Sequence, residues 1–282
     1  LPNAGKSTLM NSLIGEKLSI VTPKAQTTRH RIFGILNGDD YQIVFSDTPG
    51  IIKPKYELQK SMMKFVSHSL EDADLVLYIM DVYDKEPDAE IVERLKKIST
   101  PVVAVVNKID TVTEITVSEK TALLKSAKFT ENIIPVSALK NVHISLLLEK
   151  ILSFMPLHPP YFDKEELSDK PERFFAAEII REKIFMNYQQ EIPYSCEVVI
   201  TGFKEKQDMN VISAEIIVER ESQKGILIGK KGESLKKVGT QAREEMEKFF
   251  GRKVFLEQHV RVIADWRSNP NALKKFGYEQ NK

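Results

Sequence analysis

The chain has 282 residues, of which 42% are hydrophobic and 29% charged, with a formal net charge of +1. This composition excludes a disordered chain and fits one or two globular domains, and the near-neutral charge excludes a global field for polyanions. The lone Cys196 excludes an internal disulfide and fits a reducing cytoplasm, and every apolar run is shorter than the ~20 residues of a membrane span.

The first residues, LPNAGKSTLM, match the second half of the phosphate-binding-loop signature G-x-x-x-x-G-K-[ST]. Gly5, Lys6 and Ser7 supply its G-K-S, and the first glycine would stand one residue before Leu1. We therefore expect the strand that feeds this loop to precede Leu1, and the loop itself needs support from motifs further along the chain.

Between Ile32 and Met155, strand-like apolar runs alternate with helix-like segments. The runs are RIFGIL, YQIVFSD, ADLVLYIMD, PVVAVVN and NIIPVS, and the helices are predicted near residues 57–70, 88–98, 117–127 and 145–155. Near-continuous apolar strands separated by helices are typical of a mainly parallel, three-layer α/β sheet. We expect residues 1–155 to form this domain, without its first strand.

Residues 156–171 are rich in proline and charge, and Pro156, Pro159 and Pro160 forbid a regular helix there. This segment is predicted to be a linker. The order that follows over 172–282 is helix, strand, strand, helix, helix, strand, which predicts a second, smaller α+β domain with a C-terminal tail.

Polar motifs follow several strands of the first domain, where the nucleotide sites of open α/β sheets form. Asp47 in FSDTPG can hold Mg²⁺ through water with Ser7 as a direct ligand, and Gly50 can offer its N–H to a terminal phosphate. Asp110 in VNKID can accept two N–H groups of guanine, which adenine lacks. Each motif alone also fits a simple turn after a strand, but their order along the chain indicates a guanine-nucleotide site.

The second domain matches the element order of a type II KH domain, with IGKKG between its two successive helices. Gly229 and Gly232 frame a G-x-x-G loop of the kind that clamps single-stranded nucleic acid, and residues 224–237 hold five lysines and one glutamate. Ile226, Leu227 and Ile228 are expected in the apolar groove for bases. The alternative is a plain helix–helix turn with solvated lysines. We assign RNA binding to Lys224, Ile226, Ile228, Gly229, Lys230, Lys231, Gly232 and Lys236.

The aromatic and cationic tail, ADWRSNPNALKKFGYEQNK, is compatible with stacking on bases, with docking of Trp266 on the domain's own surface, or with a peripheral membrane contact.

Taken together, NAGKSTLMNSLIG, KAQTTRHRI, DTPG, NKID, VSALK and ESQKGILIGKKGESLKKVG resemble the Era family of bacterial GTPases over essentially the whole chain. The resemblance implies a cytoplasmic GTPase that binds GTP and GDP with Mg²⁺. It also implies binding to small-subunit ribosomal RNA near its 3′ end, assistance to small-subunit assembly, and peripheral association with the inner membrane. No obligate oligomer is implied. The nucleotide-binding residues it implies are Asn3, Ala4, Gly5, Lys6, Ser7, Thr8, Asp47, Thr48, Pro49, Gly50, Asn107, Lys108, Asp110, Ser137, Ala138 and Leu139.

The same resemblance favours Thr28 over Thr27 as a Mg²⁺ ligand that acts only while the third phosphate is present, beside Ser7 and the water-mediated Asp47. Ile51 follows Gly50, where Ras-like proteins carry the glutamine that orients water. Hydrolysis would then depend on positioning by Asn3, Lys6, Thr28 and Gly50, with Asn3 either holding K⁺ or only shaping the loop.

Three functions remain open at this stage: a GTP-driven switch that gates RNA binding, a passive RNA-binding protein with a vestigial nucleotide site, and a P-loop metabolic kinase. The N-K-x-D motif and the KH-like element order favour the first.

Overall fold

The computed structural model describes residues 3–278, which fall into two compact units. The first unit contains the residues up to Ser19, Thr28–Ile52 and Lys64–Asp169. The second contains Ile20–Thr27, Lys53–Met63 and the residues from Lys170 onward. Leu1 and Pro2 of the predicted loop, and residues 279–282 of the predicted tail, lie outside the described range.

The first unit holds two sheets. Strands β1 (Ile32–Asn37) and β2 (Gln42–Asp47) form an antiparallel pair, and β3 (Val76–Asp81), β4 (Val102–Asn107) and β5 (Ile133–Pro135) form a parallel sheet in that order. Strand β4 is buried at every residue, as expected for the centre of a parallel sheet covered on both faces. The α/β prediction is confirmed, and the antiparallel pair is the departure from a wholly parallel order.

Two helices of this unit begin at a side-chain cap. Asp88 accepts the Ile91 N–H at 3.0 Å, and Thr113 accepts the Thr116 N–H at 3.4 Å, so the helix predicted from residue 117 begins one turn earlier. Helix α2 (Glu57–Glu71) begins in the second unit and continues from Lys64 in the first. The other helices of the first unit are α1 (Lys6–Ile14), α3 (Ala89–Leu95), α4 (Glu114–Ser126) and α5 (Ile144–Leu152).

The proline-rich segment after α5 runs along the antiparallel pair. The Ile35 N–H donates to the Leu167 carbonyl at 2.9 Å, and the Gln42 amide donates to the Phe162 carbonyl at 2.9 Å. The first bond satisfies a backbone group at the edge of β1, the second anchors the segment to β2, and this part of the chain belongs to the first unit up to Asp169.

The second unit packs its helices on a three-stranded sheet. Strand β7 lies at the centre, antiparallel to β6 and parallel to β8. Ile212, Ala214, Ile216 and Val218 of β7 are fully buried or nearly so, and Val238, Ala242 and Met246 of α9 pack in the same core. The elements are α6 (Glu172–Asn187), α7 (Ile192–Ser195), β6 (Glu197–Glu205), β7 (Met209–Val218), α8 (Glu221–Ile228), α9 (Glu233–Phe250), β8 (Lys253–Val262) and α10 (Pro270–Lys275).

The predicted order of this unit is therefore found, with the short helices α7 and α10 added. Trp266 in the tail is fully buried and donates its indole N–H to the Ser195 carbonyl at 2.9 Å. Of the alternatives for the tail, docking of Trp266 on its own domain is the one that the structure contains. Among residues 3–278, no helix is both long and apolar enough to cross a membrane.

Candidate functional site

The phosphate-binding turn is built by backbone conformations that suit glycine and asparagine. Asn3 and Gly5 adopt left-handed conformations, with φ of 65° and 87°, and α1 begins at Lys6. A Cβ on Gly5 would lie 2.3 Å from the side-chain nitrogen of Asn107, so only glycine fits this close approach. The turn therefore presents the N-terminal N–H groups of α1, which are suited to a phosphate.

Three oxygen-bearing side chains converge beside this turn. Ser7 donates to the Asp47 carboxylate at 2.7 Å, and the Thr28 hydroxyl lies 3.0 Å from that of Ser7 and 3.3 Å from Asp47 Oδ2. Two hydroxyls and a carboxylate are ligands that Mg²⁺ prefers. The other carboxylate oxygen of Asp47 is buried and has no hydrogen-bond partner among the described residues, so these side chains fit a Mg²⁺ ion with its water shell.

The structure also separates the two candidate threonines. Thr27 bonds to the Lys24 carbonyl at 2.8 Å and lies 2.9 Å from the Thr22 hydroxyl, whereas Thr28 faces Ser7 and Asp47. The geometry therefore supports Thr28 as the metal-facing residue.

Burial perturbs the charges of this site. Desolvation raises the pKa of Asp47, against the hydrogen bond from Ser7 and the charge of Lys6, which lower it. Desolvation likewise lowers the pKa of Lys6, against the charge of Asp47. Burial thus favours the neutral form of each group, whereas a cation bound beside Asp47 and a phosphate bound beside Lys6 would favour the charged forms.

Asn107 at the end of β4 joins three loops. Its side-chain amide donates to the Ala4 carbonyl at 2.9 Å, and its side-chain oxygen accepts the Lys108 N–H at 2.8 Å and the Ala138 N–H at 3.1 Å. The phosphate turn, the N-K-x-D loop and the S-A-L loop are thus held together by one buried side chain, which fits a single nucleotide-sized site.

The carboxylate of Asp110, which is predicted to bind guanine, is held by a neighbouring hydroxyl. Ser137 donates to Asp110 Oδ1 at 2.5 Å and accepts the Lys140 N–H at 3.1 Å. Leu139, in the third position of the S-A-L motif, is 73% exposed, so its assigned contribution is a main-chain one.

Asp81 also belongs to this site, although none of the sequence motifs includes it. It ends β3, pairs in register with Asn107, and its carboxylate receives the Lys108 ammonium at 2.5 Å. The available signal was its position at the carboxyl end of a parallel strand, beside the strand that carries the N-K-x-D motif. The remaining assigned residues are Thr8 in α1 and Thr48, Pro49 and Gly50 directly after β2, with Pro49 and Gly50 buried.

The G-K-K-G turn between α8 and α9 has the backbone that its glycines predict. Gly229, Lys231 and Gly232 have φ of 72°, 52° and 80°. A Cβ on Gly229 would lie 2.2 Å from the Ser234 hydroxyl, so a side chain there would disturb the start of α9. At Gly232 nothing lies within 4 Å of the position of a Cβ, so the backbone there is open to close approach by a phosphate.

The side chains around this turn divide into core and surface. Lys230, Lys231 and Lys236 are exposed and Ile226 is 53% exposed, while Lys224 and Ile228 are half-buried. Leu227 is fully buried in the core of the unit, so the expectation that it lines a base-binding groove is wrong. Helical periodicity turns Leu227 towards the sheet while its neighbours face outward.

Family models and relatives agree with this arrangement. A model described as "50S ribosome-binding GTPase" matches residues 1–108, and a KH-domain model matches residues 191–267. The curated GTPase Era of Thermoanaerobacter sp. (strain X514) is 43% identical over 99% of this chain and 94% of its own length. The chain belongs to the GTPase Era family.

Another Era relative, from Geotalea uraniireducens, is 47% identical over 99% of this chain and 95% of its own. A crystal structure of Era in complex with MgGDPNP and nucleotides 1506–1542 of 16S ribosomal RNA superposes with a TM-score of 0.94, at 41% identity, covering 99% of this chain and 96% of that one. A point variant of Aquifex aeolicus Era bound to GDP·AlF₄⁻ gives the same values. This chain is thus an Era-family GTPase with a P-loop GTPase fold and a KH domain.

Proposed function

We propose that this chain is a GTP-dependent switch that binds the 3′ end of 16S ribosomal RNA and assists assembly of the small ribosomal subunit. The observation that carries the proposal is the convergence of Ser7, Thr28 and Asp47, whose oxygens fit a Mg²⁺ ion. Because Thr28 belongs to the segment between the phosphate turn and D-T-P-G, a Mg²⁺ ion bound with the third phosphate of GTP would hold that segment in place. The RNA part is supported by the exposed G-K-K-G turn and by the relative solved with a 16S fragment.

The proposed nucleotide roles combine the geometry with the family resemblance. Mg²⁺ would be held by Ser7, by Thr28 and, through water, by Asp47, and it neutralises phosphate charge when bound. Lys6 and the amides at the start of α1 would bind the phosphates, and the Gly50 N–H would contact the third one. Asp110, oriented by Ser137, would select guanine.

Hydrolysis is proposed to proceed by positioning, without a catalytic glutamine. Ile51 follows Gly50 and carries no group that can bond to water. Asn3, at φ 65° beside the phosphate turn, is proposed to hold a K⁺ ion that stabilises the charge that develops between the phosphates.

The remaining proposals concern organisation and location. The functional division is a GTPase domain over 1–155, a linker over 156–171 and an RNA-binding domain over 172–282. A cytoplasmic location with a peripheral contact to the inner membrane is proposed from the family resemblance.

The test uses the purified full chain and an oligonucleotide with the 3′-terminal sequence of 16S RNA. Single-turnover GTP hydrolysis is measured with Mg²⁺ in K⁺ and in Na⁺ buffers, and RNA affinity is measured with a GTP analogue, with GDP and without nucleotide. We expect hydrolysis that K⁺ accelerates and RNA affinity that depends on the nucleotide. RNA binding without turnover would indicate a passive RNA-binding protein, and equal use of ATP would indicate a kinase-like site.

A further inference from the structure

The segment just before Thr28 is held by the first helix of the second unit. Lys24 donates its ammonium group to the Phe185 carbonyl at 2.6 Å and also to the Tyr188 carbonyl. Val21 donates its N–H to a Glu182 carboxylate oxygen at 3.1 Å. These contacts join residues 20–27 to the C-terminal half of α6.

Charged groups that are almost fully buried favour one position of residues 20–27 on α6. Glu182 and Arg181 are 0% and 1% exposed, and Arg181 donates to the Thr27 carbonyl at 2.6 Å while it also pairs with Glu178. A buried charge that loses its partner is costly, so α6 favours one position of the segment over others. Lys24 adds a cation where the last carbonyls of a helix lack intrahelical partners.

Tyr188 connects this contact to the G-K-K-G turn. Its carbonyl receives Lys24, while its hydroxyl donates at 2.6 Å to the carbonyl of Leu227, in the last turn of α8 and two residues before Gly229. Burial raises the pKa of Tyr188 to about 12, so the hydroxyl remains a proton donor throughout the physiological range. One residue therefore bonds both to the segment that precedes Thr28 and to the helix that ends at the turn.

We propose that Lys24 and Tyr188 are positioning residues that couple the third-phosphate contact of Thr28 to the conformation of the G-K-K-G turn. The proposal rests on the proposed GTP and RNA function and names the residues of its regulation. While Thr28 lies beside Ser7 and Asp47, the adjoining residues 20–27 stay where Lys24 reaches the end of α6. Through Tyr188, the same contact then supports the last turn of α8.

The test measures amide hydrogen exchange over residues 226–232 in the full chain without RNA, with Mg²⁺ plus a GTP analogue or with GDP. In the unmodified chain we expect exchange at least ~5-fold slower with the GTP analogue, the low end of allosteric couplings. Lys24→Met and Tyr188→Phe should each reduce this ratio below ~2-fold. The double variant should fall no further, because both residues act in one chain of contacts. Lys24→Arg, which keeps a cation at this position, should retain most of the difference in exchange rate between GDP and the GTP analogue.

Two matched controls make the same chemical changes elsewhere. Lys97→Met replaces an exposed lysine after α3, and Tyr83→Phe removes a tyrosine hydroxyl that also donates to a backbone carbonyl, that of Thr111. Both should leave the exchange ratio unchanged. An exchange ratio near one in the unmodified chain, or variants that retain the full ratio, would overturn the coupling. Because no RNA is present, this result is separate from the RNA titration that tests the proposed function.

Discussion

At the scale of single residues, the proposed guanine pocket depends on how Asp110 is held. The Ser137 hydroxyl donates a hydrogen bond to one oxygen of the Asp110 carboxylate, so the carboxylate is oriented before a nucleotide binds. Asp110 is exposed in the structure, and a bound base would cover its carboxylate, so a base that left the carboxylate unpaired would bind weakly. The proposed selection of guanine therefore depends on one carboxylate and the hydroxyl that orients it.

Asp110→Asn should lower the preference for GTP over ATP by at least ~100-fold, since an amide presents one acceptor where guanine needs two. The measurement is competition of each nucleotide against a fluorescent GDP. Because the amide adds a donor, xanthosine triphosphate should bind the variant better than it binds the unmodified chain. A variant that keeps the full preference for GTP would show that Asp110 does not read the base.

Thr28→Ala should weaken the Mg²⁺·GTP analogue by ~10-fold and leave GDP affinity nearly unchanged. In the proposed mechanism the threonine hydroxyl contributes to nucleotide binding only with a third phosphate, at about the strength of a hydrogen bond to a charged group. Calorimetry with both nucleotides gives the ratio, and Thr121→Ala in α4 is the control, since that hydroxyl bonds within its own helix. Equal losses for both nucleotides would assign Thr28 a structural role instead.

At the scale of elements, the turn from α9 to β8 is tied by Glu247. Its carboxylate accepts the Val254 N–H at 3.2 Å and lies 3.0 Å from Arg243 and 3.8 Å from Lys253. The hydrogen bond from Val254, and next the charges of Lys253 and Arg243, lower the pKa of Glu247 below its usual value. Protonation of this carboxylate therefore weakens the junction between the last long helix and the last strand.

This pKa gives a prediction for acid stability. Because the folded-state pKa is lower than the unfolded one, the contribution of Glu247 is fully present above about pH 4.5 and is lost as pH falls through the folded value. Urea unfolding followed at steps between pH 6 and 3, values chosen to bracket that window, should therefore show a shallower decline for Glu247→Gln than for the unmodified chain. Glu244→Gln, at an exposed neighbour on α9, should decline like the unmodified chain. Identical curves for the two variants would contradict the assignment.

The elements also show what the sequence could and could not predict. Near-continuous apolar runs located β3 and β4, alternation of apolar residues located β7, and the glycines of G-K-K-G located the turn, because apolar patterning and positive φ are local requirements. The packing of residues 20–27 on α6 was not predictable from the sequence. It depends on Arg181 and Glu182, which are 154 or more positions away and are of residue types usually found on the surface. Leu227 was misassigned because adjacent residues of a helix point in different directions, so Ile226 is exposed while Leu227 faces the core.

At the scale of the whole molecule, the two segments that flank the nucleotide motifs, Ile20–Thr27 and Lys53–Met63, belong to the second unit. Gln59 bonds to Gln26 at 3.3 Å, and the Arg267 guanidinium lies 5.0 Å from the centre of the Tyr56 ring. Both segments are thus packed with the part of the chain that carries the G-K-K-G turn. A nucleotide that repositions either segment would therefore alter the packing of the second unit.

Replacement of Lys230 and Lys231 by alanine tests where the RNA lies. Each lysine that neutralises a phosphate releases condensed counterions, and for single strands the slope of log K against log salt changes by ~0.7 per contact. The double variant should therefore bind the 16S-derived oligonucleotide more weakly at every salt concentration, with a slope shallower by roughly 1.4. Lys204→Ala with Lys206→Ala removes an equal charge from an exposed stretch at the end of β6 and should leave the slope unchanged. Equal slopes for the two double variants would remove the G-K-K-G turn from the interface, because net charge alone would then account for the loss.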